Sequence, residues 1–299
     1  MQDFNINDTL LGKTVDAPAQ YDASVLFRIP RSENRTQYGI SESSLPFVGF
    51  DVWNCYELSF LTNNGLPVCR MLKLIYTSSS TYLVESKSLK LYLNSFNMCS
   101  FGDSISESEI NVKAIIERDL SKILETLVCV NLFDSHSKTA EPFSTFKKNE
   151  LVEMISSEEL SLIQFSHFTE KPDLLEGVLT SESQTLKFHT DTLRSNCRVT
   201  NQPDWGDLFV EMVSNYKVNL STVLEYIVSF RKENHFHEEV VEMIFMRLLE
   251  KFEPQQLMVA ALYTRRGGID INPIRATHHE LIDKVLVSNN YRAEKTMRQ

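Results

Sequence analysis

The order of predicted elements constrains this chain most, because it occurs twice. Trp53 to Leu61 reads as a strand, Asn63-Asn64-Gly65 as a turn and Val68 to Tyr76 as a second strand. Ser86 to Phe96 then carries Leu89, Leu93 and Phe96 at helical spacing. Ser106-x-x-Glu109 has the form of a capping box, opening a helix with Ile110, Ile115, Ile116, Leu120, Ile123, Leu124 and Leu127 on one face. Downstream, Ser195 to Thr200 is strand-like, Gln202-Pro203-Asp204 is a turn and Asp207 to Ser214 is extended. Ser221 to Phe230 and Glu238 to Phe252 are helical, and Leu257 to Thr264 is β-rich. Both halves therefore read strand, strand, helix, helix, strand, an α+β order. Tyr92 to Phe96 resembles Tyr226 to Phe230, and Ser59 to Asn63 resembles Cys197 to Asn201, which makes Ser59 the expected counterpart of Cys197. The expected units are residues 1–175 and 176–299. Residues 1–45 read as an irregular arm and 132–150 as a long surface loop.

Charge and cysteine usage narrow the partners. Thirty basic against 40 acidic residues leave a formal charge of −10, which repels phosphate backbones. Phe146-Lys147-Lys148 and Tyr263-Thr264-Arg265-Arg266 are too short to be a duplex footprint, so no direct nucleic-acid partner is expected. Five cysteines without a C-x-x-C pair argue against a disulfide framework and against a thiolate zinc cage. Met1 to Asn5 shows no basic region leading into an apolar core, and no run approaches the ~20 apolar residues of a membrane helix. A cytoplasmic protein without a membrane partner is expected.

Four short stretches carry chemistry. In Asn196-Cys197 through Asp204-Trp205-Gly206, an acid seven residues after a thiol, past a Pro-bearing turn, can fold back beside it and exchange its proton. A buried small hydrophobe and a turn residue explain the same spacing. In Asn234-His235-Phe236-His237-Glu238-Glu239, a carboxylate at a helix start can face the N–H edge of a purine or pterin, or simply cap. His235 and His237 invite a metal reading but bring no thiolate pair. Glu85-Ser86-Lys87-Ser88-Leu89-Lys90 sets two lysines where free backbone N–H groups would help hold a phosphate. Arg265-Arg266-Gly267-Gly268 combines paired arginines with permissive glycines, as a phosphate grip or a hairpin turn. No G-x-G-x-x-G is present, so a dinucleotide would bind without that fingerprint.

Together these strings resemble one family, the bimodular QueF nitrile reductases, which reduce 7-cyano-7-deazaguanine with NADPH. The likeness rests on Glu85 to Asn97, Ser195-Asn196-Cys197, Thr200 to Gly206, Phe236-His237-Glu238 and Tyr263 to Pro273, in family order over roughly residues 45–275. The resemblance implies two tandem ββααββ tunnelling-fold modules with antiparallel sheets and sites between units. It implies Cys197 as nucleophile forming a thioimide, Asp204 as proton donor, and Val84, Glu85, Ser86, His237 and Glu238 at the substrate. Ser86, Lys87, Arg266 and Gly267 would meet NADPH, two hydrides would be transferred, no metal would be needed, and a homodimer is expected. The product, an aminomethyl deazaguanine, belongs to the making of the modified tRNA nucleoside queuosine. A metal-dependent cyclohydrolase using His235 and His237, or a non-catalytic purine-binding module, are the alternatives.

Overall fold

The computed structural model describes residues 17–299. The short strand β1 (Arg28–Pro30) and helix α1 (Ser32–Arg35) precede the long strands β2 (Val48–Leu61) and β3 (Pro67–Thr77). Then come β4 (Tyr82–Val84), α2 (Ser86–Asn94), α3 (Ile105–Leu124), β5 (Val128–Phe133), β6 (Thr139–Ala140), α4 (Leu151–Met154) and α5 (Ser157–Leu162). The second half follows with β7 (Gly177–Cys197), β8 (Pro203–Val218), α6 (Leu220–Ser229), β9 (Asn234–His235), α7 (His237–Phe252), β10 (Gln256–Tyr263), β11 (Ile269–Ala276) and β12 (Arg292–Ala293).

One eight-stranded sheet runs β5-β3-β2-β11-β10-β8-β7-β9. It is antiparallel except where β9 joins β7. The halves meet at β2 and β11, in register from Cys55 opposite Ile269 to Val48 opposite Ala276. Each half lays its two main helices on the same face of the sheet. In the first, Leu72, Leu74 and Val130 pack with Leu89, Val112, Ile116 and Leu120. In the second, Leu208, Val210 and Val259 pack with Leu224, Ile227, Val241 and Phe245. This is the α+β tunnelling-fold arrangement, in which alternate strand residues and helical stripes bury against each other. The first half departs from ββααββ after β5. Its chain leaves the sheet, and β6 pairs with β12 instead.

Four sequence expectations change. The helix α3 is capped at Ser104, which accepts from the Glu107 N–H, and Glu107 reaches back to the Asp103 N–H. The S-x-x-E pattern two residues before Ser106 wins because the helix buries Ser108, Val112, Ile116, Leu120 and Leu124. Ile110 and Leu127, expected on the buried face, are 65% and 77% exposed. Cys197 N–H donates to the carbonyl before Pro203 as Thr62 N–H donates to that before Pro67, whereas Ser59 lies inside β2, so the residue at the matching position is Thr62. Residues 132–150 are not a surface loop throughout. Phe143 and Phe146 are buried against Phe209 on the helix-free face of the sheet.

The expected arm is also more ordered than its polarity suggests. Residues 1–16 lie outside the described residues, but β1 pairs with β4, and the Phe27 carbonyl accepts from the Glu85 N–H. Arg31, Asn34 and Arg35 are buried. Arg31 pairs with Asp51, and Arg35 donates from Nε and Nη2 to the Glu242 carboxylate at 2.8 and 2.7 Å. Arg275 completes the cluster, 2.8 Å from both Asp51 and Glu242. Charged residues enter the interior here because each meets an opposite charge.

Candidate active site

The sheet and the starts of two helices enclose one cleft. Its lining includes Val84, Glu85 and Ser86 ahead of and opening α2, Cys197 and Asp204 at the ends of β7 and β8, and His237 and Glu238 opening α7. Trp53, Ile269 and Ile271 form the sheet side, and Lys90 and Arg266 stand at its margin. The cleft encloses about 610 Å³, open solvent at its mouth included. Both halves contribute, so residues far apart in sequence meet because β2 pairs with β11 and β10 with β8.

The sulfur sits at a built turn. Cys197 N–H donates to the Gln202 carbonyl and Asn201 N–H to the Cys197 carbonyl, with Asn201 at φ +55°. That left-handed residue folds the chain back, a conformation asparagine accepts more readily than most. Cys197 is 7% exposed. Burial alone raises a thiol, but hydrogen bonds from the Thr200 side chain, the Thr200 and Val199 N–H groups and Arg266 outweigh it, and the net direction is downward. Seven residues on, Asp204 is 3% exposed. Arg266 Nη2 lies 2.8 Å from its Oδ1 and His237 Nε2 lies 3.3 Å from its Oδ2. Arg266 thus touches both Cys197 and Asp204, a link that only the pairing of β8 with β10 makes visible.

The far wall is a carboxylate. Glu238 is 4% exposed, and its Oε1 has no hydrogen-bond partner among the described residues. Burial first, and the Asp51 carboxylate second, push it up to about 7. His237 lies flat on Tyr263, ring centres 3.9 Å apart at 18°. His235 is placed differently: its Nε2 is 2.8 Å from Glu233 and its Nδ1 2.9 Å from Glu239. Burial lowers its affinity for a proton, yet Glu239 and Glu233 together raise it. Both nitrogens of the first metal-ligand candidate therefore lie within 2.9 Å of carboxylates, Nε2 in a hydrogen bond to Glu233. Among the described residues no three His, Cys, Asp or Glu side chains gather as metal ligands.

The residues expected to meet NADPH divide. Ser86 and Arg266 line the cleft, and Gly267 lines a smaller adjoining one with Gly268, Glu57 and Lys90. Lys87 lines neither; its N–H, with that of Ser88, donates to the Glu85 carboxylate at 3.1 and 2.6 Å. The amides expected to be free for a phosphate are thus capped from within the chain. Lys90, the second lysine of the expected phosphate site, joins the two clefts. Burial lowers its pKa first and the Arg266 charge second. Gly267 has φ +54°, and a β-carbon there would stand 2.7 Å from Lys90 Nζ. Two cations close enough for one to lower the other's pKa, beside a glycine of positive φ, fit the phosphates of a dinucleotide.

No helix among the described residues is long and apolar enough to cross a membrane. Residues 17–132 match the family model described as the N-terminal part of nitrile reductase, 7-cyano-7-deazaguanine reductase, and residues 203–281 match the QueF-like protein model. A protein of Psychrobacter cryohalolentis called NADPH-dependent 7-cyano-7-deazaguanine reductase is 41% identical over 284 residues, 93% of this chain and 97% of that one. A Coxiella burnetii protein of the same name is 40% identical over 269 residues, 90% and 91% of the two chains. Matches of this extent take in both halves of the cleft, with the thiol and acid on one side and the capped α2 start on the other. The chain belongs to the QueF family of 7-cyano-7-deazaguanine reductases.

Proposed function

We propose that this NADPH-dependent oxidoreductase reduces the nitrile of 7-cyano-7-deazaguanine to the aminomethyl group through a covalent bond to Cys197, in the route to queuosine. The observation that carries the reading is the meeting of a thiol of lowered pKa, a buried acid and a buried unpartnered carboxylate in one cleft. A nitrile carbon is a weak electrophile, so it has to be activated before reduction. The Cys197 thiolate adds to that carbon, the nitrile nitrogen takes a proton from Asp204, and a thioimide results. NADPH, when bound, supplies the two hydrides that carry the carbon to an imine and then to a primary amine. Between them Cys197 leaves as thiolate, and Thr200 and Arg266 stabilise its charge. Asp204 regains a proton through His237, 3.3 Å away. Ile269, Ile271 and Val84 keep water from the imine.

The remaining roles follow the cleft wall. Glu238 and His237 hold the base, with Glu238 accepting from its N–H groups. Val84, Glu85 and Ser86 form the opposite wall, Glu85 acting also as the cap of α2. Ser86, Lys87, Arg266 and Gly267 meet NADPH, and Lys90 adds a further cation. The halves 1–175 and 176–299 act as two modules sharing this cleft. A homodimer is part of the proposal: β5 ends the sheet on one side, and on the other β9 covers only Asn196 and Cys197 of β7. The stretches of these edges without a neighbouring strand suit a second copy, and sedimentation tests it.

Following NADPH absorbance with the cyano base tests the activity. Two NADPH consumed per amine formed is the expected stoichiometry. Retained reduction by Cys197→Ala would contradict the covalent route.

A further inference from the structure

The floor of the cleft is made by β2 and β11, which contribute Trp53, Ile269 and Ile271. Two of these are hydrocarbon, so the indole N–H of Trp53 is the one side-chain polar group these three residues bring to that floor. Trp53 is 1% exposed, and its Nε1 is buried without a hydrogen-bond partner among the described residues. Buried donors are almost always paired, and an unpaired one destabilises the free protein. Glu238 Oε1, lining the same cleft from the other half, is likewise buried and unpartnered. One group can only donate and the ionised other can only accept. A flat ring bearing a carbonyl beside an N–H satisfies both at once.

We infer that Trp53 is a specificity-determining residue, whose indole N–H donates to the ring carbonyl of a lactam-type base while Glu238 accepts from the neighbouring N–H groups. The inference rests on the deazaguanine reading above and adds to it a second reader, supplied by the N-terminal half. A base carrying an amino group in place of the carbonyl turns a donor toward a donor. A base with hydrogen there leaves the indole unpaired. Both are rejected more strongly than a purely apolar floor could manage, because discrimination by a buried polar group exceeds that of a hydrocarbon surface.

Binding of 7-deazaguanine, which lacks the nitrile and forms no bond to sulfur, is compared with that of its counterpart bearing hydrogen at the carbonyl position. The native protein is expected to hold 7-deazaguanine at least ~10-fold more tightly, since its counterpart lacks both the carbonyl and the adjoining ring N–H, and the response to substitution of Trp53 separates the two. Trp53→Phe should lose about that factor for 7-deazaguanine and nothing for the carbonyl-free base. Equal losses for both compounds, or none, overturn the inference. Because Trp53 is buried, a second readout avoids substitution there. The chain has two tryptophans, so the Trp53 indole N–H resonance is identified by its persistence in Trp205→Phe. It should move downfield with 7-deazaguanine and stay with the carbonyl-free base; no movement with either overturns the inference. If the native protein reduces the cyano base and these tests fail, Trp53 alone is misassigned. If the native protein binds and reduces no deazaguanine, the proposed function falls and this inference with it.

Discussion

Cys197 lies in surroundings that should protonate it, and what reverses the effect is a turn plus one cation. The Thr200 and Val199 amides belong to the turn, while Arg266 arrives from beyond β10. Arg266→Met is therefore expected to move the midpoint of Cys197 alkylation upward in pH, read from iodoacetamide rates between pH 5 and 10. Glu238 behaves in the opposite sense. Its folded pKa is raised from 4.5 to about 7, so its contribution to stability is present below the unfolded value and is lost as pH rises through about 7. Glu238→Gln should raise the melting temperature of the free protein at pH 8 and change it little at pH 4. In the Cys197→Ala background, where no adduct forms, base affinity should weaken as pH falls below about 7, because the ionised carboxylate is the acceptor. Cys197, Asp204 and Glu238 were legible in the sequence since each sits in a contiguous string at a strand end or helix start. The contact of Arg266 with Asp204 was not legible, because it depends on strand register. Nor was the use of Glu85 as a cap, since the same string also reads as a phosphate loop.

At the scale of elements, long strands and helices declared themselves by periodicity, and the departures have local causes. Two S-x-x-E patterns overlap at the start of α3, and burial on the sheet decides between them. Ser104→Ala should destabilise the protein by about 1 kcal/mol and Ser106→Ala by less than about 0.5 kcal/mol, measured by urea unfolding. The reverse ranking would restore the capping box at Ser106. Phe143 and Phe146 were hidden in a polar stretch, since two aromatic residues make no period. Phe143 stacks on Phe209 with ring centres 4.4 Å apart, and Phe146 meets the same ring edge-on.

Over the whole molecule, the cluster of Arg31, Arg35, Asp51, Glu242 and Arg275 ties the N-terminal segment, both central strands and α7 together. Polar composition made the segment look peripheral, and nothing local in sequence reveals a charge pairing across 207 residues. Glu242→Gln leaves buried guanidinium groups undercompensated and is expected to cost about 3–5 kcal/mol in chemical denaturation. Removing the exposed pair of Lys171 with Asp173 should leave the denaturation midpoint nearly unchanged. The carboxyls of Asp51 and Glu242 are both lowered: burial opposes this, but Arg275 and the other arginines prevail. Their stabilisation is present above the unfolded carboxylate range and is lost as pH falls through the depressed values. The joined sheet also sets the site, because Cys197, Asp204 and Glu238 come from one half and the α2 wall from the other. Intact-mass analysis of the protein mixed with 7-cyano-7-deazaguanine in the absence of NADPH addresses the bond on which this chemistry depends. The account predicts a mass increase of one base, located by peptide mapping to Cys197 and absent from Cys197→Ala. Bound base with no mass increase, or an adduct mapped to Cys55, would contradict it.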